Sequence, residues 1–284
     1  MSFWVIQTLN AVSEGMLLFL LAAGFSLIFG LVRVLNLAHG SFYLIGAYMA
    51  ASLLAWSGSF IVAVVGAMVG VAVIAVIMER WLIRPVYGDE LRQALLTFGC
   101  LFIFGDVALW IWGGNPISLA KPEGFTKSLF IGDIVFPSYR LLVIGVGVLI
   151  GGLLWWIQEN TRLGALIRSA VEDFEMASGM GTNVATLFAL IFAAGGALAG
   201  LAGTLGGVIV GAYPGADLEV LMLAFVVIII GGMGSLKGAF LGALVVGLLD
   251  TWGKTFFPEF SMFTIFVPMA VILAIWPTGI FGRA

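Results

Sequence analysis

The chain has 284 residues, 62% of them hydrophobic, with only 12 basic and 15 acidic side chains and a mean hydropathy of +1.18. That composition excludes a soluble globule, and a net charge of −3 offers no basic surface for nucleic acid. A bilayer admits only helices or closed barrels, and the ten-residue alternation of barrel strands is absent, so the class is an all-α polytopic membrane protein.

No basic residue precedes the first apolar run in MSFWVIQTLNAVSEGM, so the first span is expected to stay in the mature protein rather than act as a signal peptide. Apolar runs follow at 11–31, 41–57, 60–78, 94–112, 141–157, 184–210, 218–232, 238–251 and 261–277. The runs at 41–57 and 238–251 are short enough to be broken or re-entrant, which predicts eight to nine transmembrane segments. If the segments alternate, Arg33, Arg80, Arg84, Arg92, Arg162, Arg168, Lys237 and Arg283 fall on one side and Lys121, Lys127, Arg140 and Lys254 on the other. The richer side is expected in the cytoplasm, with the N-terminus outside and the C-terminus inside.

Asn36, His39, Gly40, Ser41 and Tyr43 interrupt the first two apolar runs and include the only histidine. Two readings stand: a broken helix bordering a water-filled route, or an ordinary turn with a hydrogen-bonded histidine. Cys100 is the single cysteine, which excludes an internal disulfide and reads as core packing. Asp106, in the middle of CLFIFGDVALWIW, is costly in hydrocarbon and is therefore either a functional group on a translocation route or a polar contact between helices. Glu14, Asp217, Glu219 and Asp250 lie near segment ends and read as wetted. The long connection 113–138 contains three prolines and reads as an external loop, either a docking surface or a loosely ordered link.

The stretch NTRLGALIRSAVEDFEMASGMG, residues 160–181, breaks the apolar pattern most sharply. Leu163, Leu166, Ile167, Ala170, Val171, Phe174 and Ala177 recur at helical spacing, with Arg168, Glu172 and Glu175 on the other side. Ser169 with Glu172 has the form of a capping box, so one bent helix or two short ones fit. Such a helix either docks a soluble partner or lies on lipid. Gly196, Gly200, Gly203 and Gly207 then share one helix face and read as helix packing. Residues 231–238, GGMGSLKG, lack the GxxxxGK[ST] spacing, so no phosphate loop is present and the stretch reads as a turn. Residues 30–50 and 206–227 each follow a Gly-rich span, pass a polar turn and enter another span. On opposite sides of the membrane, they would be the two arms of an inverted repeat. HExxH, GxSxG and cysteine-pair signatures are missing, so an enzyme has little to be built from.

Taken together, RVLNLAHGSFYLIGAY (33–48), MERWLIRPVYG (78–88), TRLGALIRSAVEDFEMASGMGTNV (161–184), GALAGLAGTLGG (196–207), FVVIIIGGMGSLKGAFLGALVVGLLD (225–250) and WPTGIFG (276–282) resemble the permease subunits of bacterial branched-chain amino acid ABC importers, of the LivH type. The resemblance implies the ABC importer permease fold in one domain, 1–284, with a cytoplasmic coupling segment at 160–183. It implies ATPase coupling through an element on Glu175, Met176, Ala177 and Gly181, with Arg168 and Glu172 as further coupling candidates, while Asn36, His39, Ser41 and Asp106 are the candidates for the translocation route. Met176, Phe174 and Thr182 depart from the family's usual Ala, Pro and Ile. The expected partners are a second permease, LivM-like or a second copy, two cytoplasmic ATPase subunits that bind ATP and Mg, and a periplasmic or extracellular substrate-binding protein. No cofactor or metal is expected in this chain. The competing reading is a secondary transporter driven by an ion gradient, with Asp106 as its relay.

Overall fold

The computed structural model describes residues 2–131, 134–172, 176, 179 and 183–282. Ten helices have fully described bounds: α1 Ser2–Val32, α2 His39–Ser57, α3 Phe60–Met78, α4 Glu90–Trp112, α5 Ser138–Asn160, α6 Arg162–Glu172, α7 Val184–Ile209, α8 Ala216–Gly231, α9 Leu236–Phe256 and α10 Ser261–Ile275. The helix begun by α3 widens into a π turn, Glu79–Ile83, and then tightens into a 3-10 turn, Arg84–Val86.

Among the described residues, seven segments are long and apolar enough to cross a bilayer: Phe3–Val32, Phe60–Val86, Glu90–Trp112, Ser138–Asn160, Val184–Ile209, Leu236–Phe256 and Pro258–Ile275. The two apolar runs outside that set form α2 and the 16-residue α8. The run at 238–251, read as short enough to be broken or re-entrant, belongs to a continuous 21-residue helix. Its polar end is accommodated because Asp250 and Lys254 pair at 2.5 Å one turn apart.

Burial sorts the helices. The apolar window of α1 is 72% buried and that of α7 61%, against 11% for α5 and 6% for the last span, so α1 and α7 lie at the centre and α5 and the last span at its edge. Glycine makes that centre dense. A Cβ on Gly247 of α9 would lie 2.5 Å from Ala11 O of α1, and one on Gly15 would lie 2.8 Å from Ala243 O, so these two backbones touch directly. The face of α7 does the same twice over. Gly196 and Gly200 accept α3 at Val71, Ala75 and Ala67, while Gly203 and Gly207 accept α2, with Tyr43 O only 2.0 Å from a Cβ on Gly203. At the opposite extreme, Trp4, Trp252 and Phe256 cluster at the start of α1 and the end of α9, with Trp252 and Phe256 stacked at 5.4 Å. Such amphipathic rings suit a membrane boundary.

The expectation of an all-helical chain misses one element. Within the 113–138 connection, β1 Ser128–Ile131 pairs antiparallel with β2 Ile134–Pro137. β-branched and aromatic residues favour such pairing, and the buried Phe136 anchors the hairpin while its neighbour across the sheet, Leu129, stays exposed. A single bridge, Ile117 to Ala212, ties the same connection to the turn between α7 and α8.

Candidate functional site

A cluster of buried polar groups lies where α2 and α8 begin. The ring Nε2 of His39 donates to Leu21 O across 3.1 Å, and Leu21 sits about 16 Å along the axis before α1 ends. Thus α2 starts inside the bundle and not at its edge. Its first turn meets the first turn of α8: a Cβ on Gly40 would lie 2.2 Å from Asp217 O, so only a residue without a side chain lets the two helix starts touch. Neither helix has a side-chain cap at its N-cap residue. The Asp217 carboxylate in the first turn of α8 supplies the negative charge that two converging helix N-termini favour. Its Oδ2 lies 3.3 Å from the Ser41 hydroxyl, which also lies 3.2 Å from Leu101 O and has one hydrogen to give to either.

Around this junction, Asn36, His39 and Ser41 are fully buried and Asp217 is 5% exposed. Phe25 stands edge-on to the His39 ring at 5.6 Å. The Asn36 side chain, His39 Nδ1 and the Tyr48 hydroxyl have no hydrogen-bond partner among the described residues. The loop between α1 and α2 is fixed by Thr97 of α4, whose hydroxyl accepts from Leu37 N at 3.1 Å and donates to Leu35 O at 3.0 Å.

Three of the four residues expected along a route therefore gather at one place, and the fourth does not. Asp106 lies on the outer face of α4, exposed beside Phe102, Ile103, Val107 and Trp110. The reading of Asp217 and Asp250 as wetted is corrected, since both are buried, Asp217 between two helices and Asp250 beneath Lys254. Glu219 is exposed and accepts from the Tyr213 hydroxyl at 2.6 Å, a bond that, ahead of burial, pushes the phenol up to about 12. Cys100 is buried, in line with packing.

A second polar group closes the end of the bundle that carries α6. Thr161 caps α6, accepting from Gly164 N at 3.2 Å while donating to Ile157 O at 2.6 Å. Arg168 donates to Gln158 O, which ties α6 back to the final carbonyls of α5. The helix runs unbroken through Ser169, whose hydroxyl turns back to Leu166 O at 2.9 Å, so the proposed capping box does not form there. Ala170 is buried, whereas Leu163 and Leu166 are 49% and 38% exposed and Met176 is 65% exposed. Glu172 lies in α6; Glu175, Ala177 and Gly181 lie outside the described residues.

Nearby, sequence reasoning missed a cluster altogether. Glu79 is fully buried; Arg84 reaches its two oxygens at 3.3 Å through Nε and Nη2, and Tyr87 donates to it at 2.7 Å. Burial first, and then the bond with Glu79, push the Tyr87 phenol above its ordinary range. The available signal was a Glu followed by Arg five residues later, a spacing that is out of phase for a regular α-helix and that a π turn accommodates. Among the described residues no group of three metal-ligating side chains occurs.

Helices that begin inside a bundle, with buried polar groups at their starts, define a membrane protein of transporter type. Residues 7–275 match the family described as branched-chain amino acid transport system / permease component. Similar proteins include the high-affinity branched-chain amino acid transport system permease proteins BraD of Pseudomonas aeruginosa and LivH of Escherichia coli K12, each 28% identical over 98% of this chain and 95% of theirs. A probable LivH of Methanocaldococcus jannaschii is 26% identical over 96% of this chain and 91% of its own. Among solved structures, PsaBC from Streptococcus pneumoniae in complex with Fab matches with a TM-score of 0.50 at 14% identity, over 94% of this chain and 89% of that one, a likeness of fold. The chain belongs to the branched-chain amino acid transport permease family and is a multi-pass transport subunit.

Proposed function

We propose that this chain is the membrane-spanning subunit of an ATP-driven importer that passes branched-chain amino acids, or a related small polar solute, delivered by an external binding protein. The observation that carries the reading is α6: a short helix outside the spans, anchored by Thr161 and Arg168 at its base, with Leu163 and Leu166 left exposed. An amphipathic helix held so firmly from behind is suited to being gripped by a soluble partner. ATP and Mg belong on that partner, because the chain has no phosphate loop.

In this reading residues 160–183 are the coupling segment of a single permease domain and face the cytoplasm of a bacterial inner membrane, with the N-terminus outside and the C-terminus inside. Counting one or both of α2 and α8 with the seven spans gives eight to nine crossings, and nine is the count that puts the termini on opposite sides. The meeting of their first turns favours an inverted repeat, in which each arm contributes one helix that starts within the membrane. The second permease, LivM-like or a copy of this chain, covers the outer face of α4. A carboxylate at mid-span costs about 2.5–3.5 kcal/mol on insertion scales when left in lipid, so Asp106 favours a route along the boundary between two permeases. The alternative, an ion-driven carrier with Asp106 as relay, calls for an interior position that Asp106 does not occupy.

Purification from cells expressing the whole gene cluster tests the reading. The chain is expected to bring down ATPase subunits, and Leu166→Glu or Glu175→Arg to release them while leaving the permease folded. Solute accumulation by the reconstituted chain alone on an imposed ion gradient would overturn it.

A further inference from the structure

Three spans converge on Glu79, Arg84 and Tyr87. The triad sits at the end of the α3 segment. Through Arg84 Nη2 it holds Ala185 O, in the first turn of α7, at 3.0 Å, and Tyr87 stands perpendicular to Phe188 one turn further on, with ring centres 5.5 Å apart. On its other side the 3-10 turn is bound to α4: Gln93 Nε2 donates to Val86 O at 3.0 Å, and Asp89, whose own N–H donates to Val86 O at 3.3 Å, caps α4 by accepting from Arg92 N. The start of α7 is in turn fixed by Asn183, whose side chain accepts from Thr186 N at 3.0 Å.

In this ion pair Glu79 is fully buried and Arg84 is 34% exposed, and such a pair adds little net stability over apolar residues of the same volume, because desolvating the charges offsets their attraction. Its contribution is geometric: breaking one partner leaves a buried charge, so the pair enforces one arrangement of the elements it joins. The π turn at Glu79–Ile83 points the same way, since such turns recur where a helix must present residues out of regular phase. Beside the triad lies a cavity of about 430 Å³ lined by Tyr87, Gly88, Phe188, Ala170 of α6 and Arg33 at the end of α1. The joint is therefore stiff toward α3, α4 and α7 and has free volume toward α6.

We propose that Glu79, Arg84 and Tyr87 are the positioning residues through which movement of the ATPase-docked segment reaches the transport route. The inference rests on the reading of residues 160–183 as that segment. α7 begins at Val184, directly after it, and a displacement of its first turn passes through Arg84 to α3 and through Val86 to α4, the helix that bears Asp106. Losing the triad would leave an assembled, ATP-hydrolysing complex whose spans no longer follow the motor.

The test uses the complete complex in proteoliposomes, with permease, ATPase and binding protein, and measures solute taken up per ATP hydrolysed. Arg84→Gln is expected to lower that ratio about tenfold and Tyr87→Phe about threefold, with ATPase rate and subunit recovery within twofold of the parent complex. Uptake and hydrolysis falling in proportion, or an unchanged ratio in both variants, would reduce the triad to a structural contact. If Arg84→Gln complexes do not assemble, Tyr87→Phe, which leaves the ion pair in place, decides alone. A parent chain that brings down no ATPase would fail at the earlier step, removing the docking reading and this joint with it.

Discussion

The junction of α2 with α8 and the outward surface of α6 and α4 are built on opposite principles. At the junction, polar groups are sealed from solvent, and one helix start rests on another through Gly40, which has no side chain. On the outward faces, Leu163 and Leu166 protrude from α6, and on α4 a carboxylate, Asp106, stands beside the exposed Trp110. Close-packed interiors respond to a single methyl group, whereas exposed faces tolerate substitution until a partner arrives. The first region therefore determines whether the chain folds, and the second determines what the folded chain can join.

That contrast breaks most readily at α7. Gly203→Val sets its new Cβ against the backbone of Tyr43, which cannot step aside as a flexible side chain would. A loss of about 3 kcal/mol or more is expected by overpacking, read as a collapse of the thermal unfolding midpoint in detergent and of folded yield. Asp217→Leu should come next, removing the charge that faces two helix N-termini and one partner of Ser41, with about 1–2 kcal/mol lost. Should Asp217→Leu prove neutral in the same melting assay, the junction would not be held by charge. Leu163→Ser sharpens the comparison from the other side: stability within about 0.5 kcal/mol of the parent, with recovery of ATPase subunits reduced. A destabilised Leu163→Ser variant would show that α6 is packed rather than presented.

Much of this architecture was legible in the sequence, because helical spacing and apolar length are local properties. The runs at 60–78 and 184–210 match α3 and α7, the run at 11–31 lies within α1, and the amphipathic stretch read at 160–181 contains α6. The glycines of α7 were legible too, since steps of four and three residues place them on a common side of any helix. Depth was not. Nothing near Asp217 in the chain announces that its neighbour is Ser41, 176 residues away, and a carboxylate near a segment end looks wetted until the helix start is seen to lie inside the bundle. Glu79 escaped for the same reason: its burial is created by Arg84, Tyr87 and the start of α7 together. The side on which Asp106 emerges likewise follows from the rotation of α4, which a low-contrast apolar helix does not encode.

The contact between Ser41 and Asp217 also has a consequence for biosynthesis. A ribosome adding about 5–20 residues per second needs roughly 9–35 s to make the 176 residues between them. Throughout that interval the nascent first half sits in the translocon or the bilayer with its polar break unmatched. Membrane integration of this polypeptide is thus a delayed pairing of two halves rather than a march of independent spans, and truncation before α8 would leave the earlier half waiting for a mate that never emerges.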